Sequence, residues 1–348
     1  MLSRSDPQRS SSDQPQPPAS HRPGLLRAVL IEAFSSGPFT GNGAAVVALE
    51  GPAPDAWMQA LATSLRQSET AFLLQLDGQW MLRWFTPSCE VPLCGHATLA
   101  ALLALGHWGM LEPGGTASLH TRSGPLLVGR DAEQPWWGTL VLPAADLVPA
   151  TLPPDLASLL QERLGCLPEA CWGSELGYGV VLLPPAAPLA AMASLADRLQ
   201  APLSRGLVLM QALQPVPGVP QICGEDADYQ LRFFAPGLGI PEDPVTGSAH
   251  ALVARWWQER LGRKLVRGWQ CSDRPGGMVC EAASSGMIRL SGSGHLLWDG
   301  TLPIASGGCA NERLGATAAA FRPEPADWSA WRAATRLPSS TPSGAIPC

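Results

Sequence analysis

One short pattern occurs twice in this chain, about 150 residues apart, and it constrains the fold more than any other feature. The first copy runs Arg83-Trp84-Phe85-Thr86-Pro87, then a loop, then Gly95-His96-Ala97-Thr98-Leu99. The second runs Arg232-Phe233-Phe234-Ala235-Pro236, then a loop three residues longer, then Gly247-Ser248-Ala249-His250-Ala251. Each copy reads as a strand, a proline-terminated loop, a glycine and a helix, and self-similarity at this spacing implies two related domains rather than a solenoid. Both helices are apolar on nearly every side, over 97–105 and 249–254. A helix without a polar face is wrapped by other elements. The expected architecture is therefore a curved sheet around a central helix, made twice.

The rest of the chain fits mixed α and β structure. Short β-like runs recur at 27–33, 45–49, 71–76, 81–85, 138–142, 179–183, 207–211, 230–234 and 287–292, separated by Gly and Pro clusters. Aliphatic residues at three- and four-residue spacing predict helices over 156–164 and 189–199. Residues 1–24, rich in Pro and Ser, cannot bury enough apolar area to offset ordering entropy and are expected to be a disordered tail. The segment 310–348 is expected to be mostly disordered or a short helix. Between them, 25–132 form an N-terminal domain completed by a return strand near 300–306, and 133–299 form the C-terminal domain.

Charge and composition exclude several functions. Acidic residues outnumber basic ones, 29 to 23, for a formal charge of −6, so no electrostatic footprint for nucleic acid or an anionic membrane exists. The longest apolar runs are about eight residues, too short to span a bilayer. Lys264 is the single lysine, which leaves Schiff-base chemistry one residue to depend on. Nine cysteines at irregular spacing, without a CxxC pair, read as thiols of a reducing compartment, and a cytoplasmic location is expected. No GxSxG, HExxH, P-loop or dinucleotide fingerprint is present. Cys166 and Cys171 lack companion histidines, and no metal is expected.

A helix that opens through glycine presents backbone N–H groups and the positive end of its dipole at one point. Two such starts, at Gly95 and Gly247, could face each other across a cleft and hold a small carboxylate. The alternative is that each glycine simply permits a tight turn. Three side chains near these starts could move protons: His96, immediately after Gly95; Asp243, fixed in the loop by Pro244; and Glu69, just before an apolar run. Taken singly, each has a plainer explanation, as a satisfied polar group, a loop or capping residue, and a solvated strand end.

Taken together, the residues resemble a known family. Glu32-Ala33-Phe34, Pro38-Phe39-Thr40-Gly41-Asn42, Ser68-Glu69-Thr70-Ala71-Phe72, Arg83-Trp84-Phe85-Thr86-Pro87, Leu93-Cys94-Gly95-His96-Ala97-Thr98, and Phe234-Ala235-Pro236 with Glu242-Asp243-Pro244-Val245-Thr246-Gly247-Ser248-Ala249-His250 closely resemble the PhzF-like phenazine-biosynthesis isomerases. The resemblance covers residues 26–305. It implies a diaminopimelate-epimerase-like α+β fold of two pseudo-symmetric domains, each a barrel-like mixed sheet around a central helix. It further implies Glu69 as general acid/base, His96 and Asp243 as its polar partners, and Ser68, Gly95, Gly247 and Ser248 as substrate-holding positions. The family's best-understood member isomerises trans-2,3-dihydro-3-hydroxyanthranilate without metal or organic cofactor, and the family often forms homodimers.

The expected function is thus cofactor-independent isomerisation of a small carboxylic acid, cyclic and amino-substituted in type. Epimerisation of an amino-acid-like substrate and non-catalytic small-molecule binding are the alternatives. Related epimerases of this fold use two cysteines, one per domain; Cys94 stands at one such place, and the stretch 243–248 has none, so Cys94 is read as a small buried residue. Two departures from the family pattern stand out. Gly43 follows Asn42 where proline is usual, which would loosen that turn, and Pro275 interrupts an Arg-Gly-Gly segment, leaving the role of Arg274 open.

Overall fold

The structure, a computed structural model, describes residues 25–284 and 286–303. In chain order the first lobe is built from β1 (Leu25–Ala33), β2 (Asn42–Leu49), α1 (Asp55–Leu65), β3 (Glu69–Leu76), β4 (Gln79–Phe85), β5 (Glu90–Val91), α2 (Gly95–His107), β6 (Thr116–Thr121), β7 (Gly124–Arg130) and β8 (Trp137–Pro143). The second uses β9 (Leu147–Pro149), α3 (Pro154–Leu164), β10 (Ala170–Ser174), β11 (Gly179–Leu182), β12 (Leu207–Ala212), β13 (Gln221–Ile222), β14 (Glu225–Asp226), β15 (Tyr229–Ala235), β16 (Ile240–Asp243), α4 (Gly247–Leu261), β17 (Leu265–Gln270) and β18 (Gly276–Ala282). One long strand, β19 (Met287–Pro303), then serves both.

The pairing pattern repeats from lobe to lobe. In the first, β1 and β2 are antiparallel, β2 and β3 parallel, β3 and β4 antiparallel, β4 and β6 parallel, and β6 and β7 antiparallel. The second runs the same series through β10, β11, β12, β15, β17 and β18. The duplication read from the two motifs therefore extends to the whole ladder. Through its first half β19 pairs with β8, and from Gly294 onward it pairs with β1, which closes an eight-stranded barrel. On the other side β18 pairs with β19, while β9, just beyond β8, pairs with β10. The two barrels share β8 and β19, so the lobes are joined by backbone hydrogen bonds rather than by a linker.

Each barrel encloses its helix. In α2, every residue from Gly95 to Gly106 is buried, and its four leucines, Leu99, Leu102, Leu103 and Leu105, are fully so. At about 2 kcal/mol for each such side chain, this one helix supplies a large part of the lobe's driving force. Helix α4 is buried through its first half and exposes Arg255 and Glu259 beyond it. A single apolar cluster, from Val29 and Leu99 to Leu252 and Trp257, runs through both barrels.

The same strand-to-loop pair is locked twice. Arg83 grips Glu90 with Nε–Oε1 2.8 Å and Nη2–Oε2 2.7 Å, and Arg232 grips Glu242 at 2.7 and 2.6 Å. Both arginines are buried and lie over a strand neighbour, Phe85 and Phe234 respectively. A fork of this kind fixes the angle between β4 or β15 and the loop that delivers each helix start.

Two expectations are corrected. The span 189–199 is two 3-10 turns, Leu189–Ala191 and Ala196–Arg198, and not one helix. Its leucines bury against α3 and β12 in a separate cluster, which rewards their spacing without continuous helical hydrogen bonding. Gly43 is not in a loosened turn; it pairs with Glu32 inside the β1–β2 ladder. The tails expected over 1–24 and 310–348 lie outside the described residues, as do 304–306 of the expected return strand. No helix among the described residues is long and apolar enough to cross a membrane.

Candidate active site

The two helix starts meet at the junction of the barrels. A Cβ placed on Gly95 would lie 3.2 Å from the Cα of Gly247, so a side chain at either start would press the two apart. The residues preceding them, Cys94 and Thr246, are in extended conformation and form no side-chain cap. Neither first turn carries an acidic residue, so both positive helix ends are left without a carboxylate of their own sequence.

Glu69, His96 and Asp243 converge at this point from β3, α2 and β16. They are 6%, 4% and 7% exposed, which corrects the reading of Glu69 as a solvated strand end. Glu69 Oε2 lies 3.0 Å from His96 Nε2, at ion-pair distance, yet the contact is not aligned as a hydrogen bond and Oε2 has no other hydrogen-bond partner among the described residues. Asp243 does not cap α4; Thr246 Oγ1 donates to its Oδ2 at 2.6 Å.

Asn42, at the start of β2, ties these groups together and was not singled out from the sequence as a site residue. Its Nδ2 donates to Asp243 Oδ1 at 2.6 Å and to the Val245 carbonyl at 3.1 Å, and stands 3.1 Å from His96 Nδ1. Ser68 Oγ donates to Asn42 Oδ1 at 3.0 Å. Gln270, also missed, donates to the Asp243 carbonyl at 2.5 Å and accepts the Thr246 N–H at 2.7 Å. The available signal for Asn42 was its place in a quoted motif, and for Gln270 its place at the head of the segment that holds Arg274 and Pro275; its partners lie 24 and 27 residues away.

The network assigns protons. An amide nitrogen only donates, so an unprotonated Nδ1 with the ring proton on Nε2, on the Glu69 side, is the tautomer compatible with Asn42; Cys94 Sγ lies 3.5 Å from the same Nδ1. Burial disfavours charge on the ring; the negative charges of Cys94 and Glu69 outweigh it and lift the pKa well above the usual imidazole value when Cys94 is a thiolate. Cys94 is itself pushed up to about 11 by burial, so near neutrality it is a thiol and its share of that lift is absent. Burial also raises Asp243, with Glu69 adding to the effect and His96, Thr246 and Asn42 opposing it, to about 6. His250, in the first turns of α4, is pushed down to about 3 by burial.

Glu69, Cys94 and His96 each offer one donor atom within 4.8 Å of the others, and these are the residues that could hold a metal ion. In the arrangement described, the thiol and the Nε2 of His96 both carry protons that an ion would have to displace. Cys94 and its counterpart Thr246 precede the two helix starts, so the two-thiol arrangement of the epimerases has one thiol here.

A clasp across the lobes holds the geometry. Arg274 reaches Glu32, fully buried on β1, and donates to the Gly41 carbonyl at 3.4 Å. Gly41 N–H donates to Pro275 at 3.0 Å, and Gly277 N–H to Phe34 at 3.1 Å. Arg274 is thus engaged within its own chain, one residue from Asn42 through Gly41. Ser68 and Ser248 are partly exposed. Two open surface clefts, one at Leu26, Leu49 and Trp57 and one at Trp137 and Trp269, contain none of the candidate residues.

Comparison with known proteins matches this arrangement to others. A family model described as phenazine biosynthesis-like protein matches residues 31–299. An uncharacterized isomerase of Pseudomonas aeruginosa is 38% identical over 267 residues, covering 76% of this chain and 93% of that protein. Among solved structures, a PhzF-family phenazine biosynthesis protein of Enterococcus faecalis is 29% identical with a TM-score of 0.69, covering 80% of this chain and 99% of its own. A predicted epimerase of Pseudomonas aeruginosa is 25% identical with a TM-score of 0.60, covering 80% and 99%.

Proposed function

This chain belongs to the phenazine biosynthesis-like family, and from that premise we propose that it is a cofactor-independent isomerase moving a proton on a small carboxylic acid through Glu69. The observation that carries the reading is the meeting of one buried carboxylate, whose Oε2 lacks an aligned donor among the described residues, with two uncapped helix starts. The helix ends hold the substrate carboxylate and withdraw charge from the adjacent carbon. Glu69 takes a proton from that carbon; the electron pair shifts along the substrate; Glu69 returns the proton at another carbon, so that nothing is gained or lost. His96, with Nε2 3.0 Å from Oε2, is the polar neighbour that steadies the carboxylate's charge. Asn42 and Asp243 hold the ring with its proton on Nε2. A ring-shaped, amino-substituted acid is the substrate type, and the binding partner is a small molecule.

Two-base epimerisation is less favoured, because the pair of positions that would supply two thiols holds Cys94 and Thr246. The experiment is solvent exchange. Candidate cyclic carboxylates are incubated with protein in deuterium oxide and examined by mass spectrometry. A gain of one carbon-bound deuteron with the native protein, lost in Glu69→Gln while circular dichroism is unchanged, is expected. Exchange that survives in Glu69→Gln overturns the assignment.

A further inference from the structure

The duplication allows each position of one lobe to be compared with its counterpart. In the first, Phe85 pairs with Thr70, the residue after Glu69. In the second, Phe234, the counterpart of Phe85, pairs with Leu207, the residue after Gly206. Gly206 therefore stands where the other lobe carries its acid. A Cβ at Gly206 would lie 2.3 Å from Cδ1 of Tyr178, so the space a side chain would use is filled by this ring.

Tyr178 is held by design of the local chain. Its N–H donates to Ser174 Oγ at 3.2 Å, and Ser174 Oγ donates back to its carbonyl at 3.1 Å. Its ring packs on Phe233 with centroids 4.9 Å apart, and Phe233 is the register partner of Asp243. Its hydroxyl neighbours the side chain of Ser248, the second residue of α4. Burial, with Asp243 and Cys94 adding to it against Ser248 and Arg205, pushes the phenol above its usual value, so it remains an O–H donor. The side chain of Arg205 runs beside Gly177, and no carboxylate lies within ion-pair distance of it among the described residues.

We propose that the hydroxyl of Tyr178, whose ring takes the place that Glu69 has in the other lobe, donates a hydrogen bond to the substrate's carboxylate from the side opposite Glu69 and so selects an anionic group there. The proposal rests on the reading of the two helix starts as a carboxylate site and names a residue of the second lobe for it. A neutral phenol beside an uncapped helix start prefers an acceptor, and a charged acceptor most. Arg205 adds attraction for the same group at longer range.

The chain has two tyrosines, which makes the test direct. Tyrosine labelled with 13C at the ring carbon bearing the hydroxyl gives two resonances, assigned with Tyr178→Phe. Tyr229, fully buried and stacked on Trp257, is the internal control. The probes are anthranilate and its neutral counterpart anthranilamide. Saturable anthranilate binding should shift the Tyr178 signal and leave that of Tyr229 in place. Tyr178→Phe should weaken anthranilate about tenfold and anthranilamide by less than twofold, with the melting temperature unchanged. A Tyr178 signal that does not move on saturation, equal loss for both probes, or wild-type protein that fails to bind anthranilate overturns the proposal. Binding is read without turnover, so failure of deuterium exchange through Glu69 is a separate result.

Discussion

Gly95 and Gly247 meet backbone to backbone: a Cβ on the first would lie 3.2 Å from the Cα of the second, and one on the second 3.3 Å from the Cα of the first. Each helix is rigidly enclosed by its own barrel, so neither start can retreat alone. Alanine at either position should cost about 1 to 3 kcal/mol in stability, by overpacking. Urea unfolding of Gly95→Ala and Gly247→Ala measures this, and an unchanged midpoint would show that the starts part freely. Carboxylate affinity should fall in the same variants.

Asn42 is the hub between the lobes, with donors to Asp243 and Val245 on one side and a contact to His96 on the other. Asn42→Ala should lower the rate of deuterium exchange about 10²-fold or more, because the tautomer of His96 is no longer imposed. The fold should persist, since β2 keeps its backbone pairing to β1 and β3. Exchange kinetics and circular dichroism separate the two.

Asp243 carries a pH signature. Its folded pKa of about 6 lies above the ordinary aspartate value of 3.8, so the folded state holds the proton more tightly. Stability should therefore fall as pH rises from about 4 to 6 and level off above that, by roughly 3 kcal/mol. Denaturation midpoints at pH 4 and pH 8 in the wild type and Asp243→Asn give the comparison. The substitution should remove this part of the slope; a slope unchanged by it would contradict the burial-driven shift.

The duplicated arginine forks are costly to break from one side. Arg232→Met leaves Glu242 without its partner and should destabilise by on the order of 3 kcal/mol. Arg232→Met with Glu242→Gln together should recover much of that loss, because no uncompensated charge remains. Thermal denaturation of the single and double variants decides it.

How far the sequence could be read depended on what kind of contact was at stake. The recurring motif, the two apolar helices and nine of the nineteen strands were legible, since alternation and spacing are local and burial enforces them. Strands β6, β7, β10, β17 and β18 were not foreseen; they are short of continuous apolar runs, with residues such as Ser118, Pro125 and Gly268 among them, and are made strands by their neighbours in the ladder. The leucine spacing at 189–199 misled in the other direction, because side-chain burial there is met by irregular turns.

Glu69, His96 and Asp243 could be named as candidates, but their convergence could not be derived from their spacing. The sequence by itself determined two enclosed helices that open through glycine, because apolar pattern and backbone freedom act over a few residues. Only the tertiary structure decided that Asn42 reaches His96 and Asp243, across 54 and 201 residues, and that Tyr178 fills the place left empty by Gly206. Those contacts depend on the register in which β8 and β19 close both barrels, and a register is settled by the whole ladder at once.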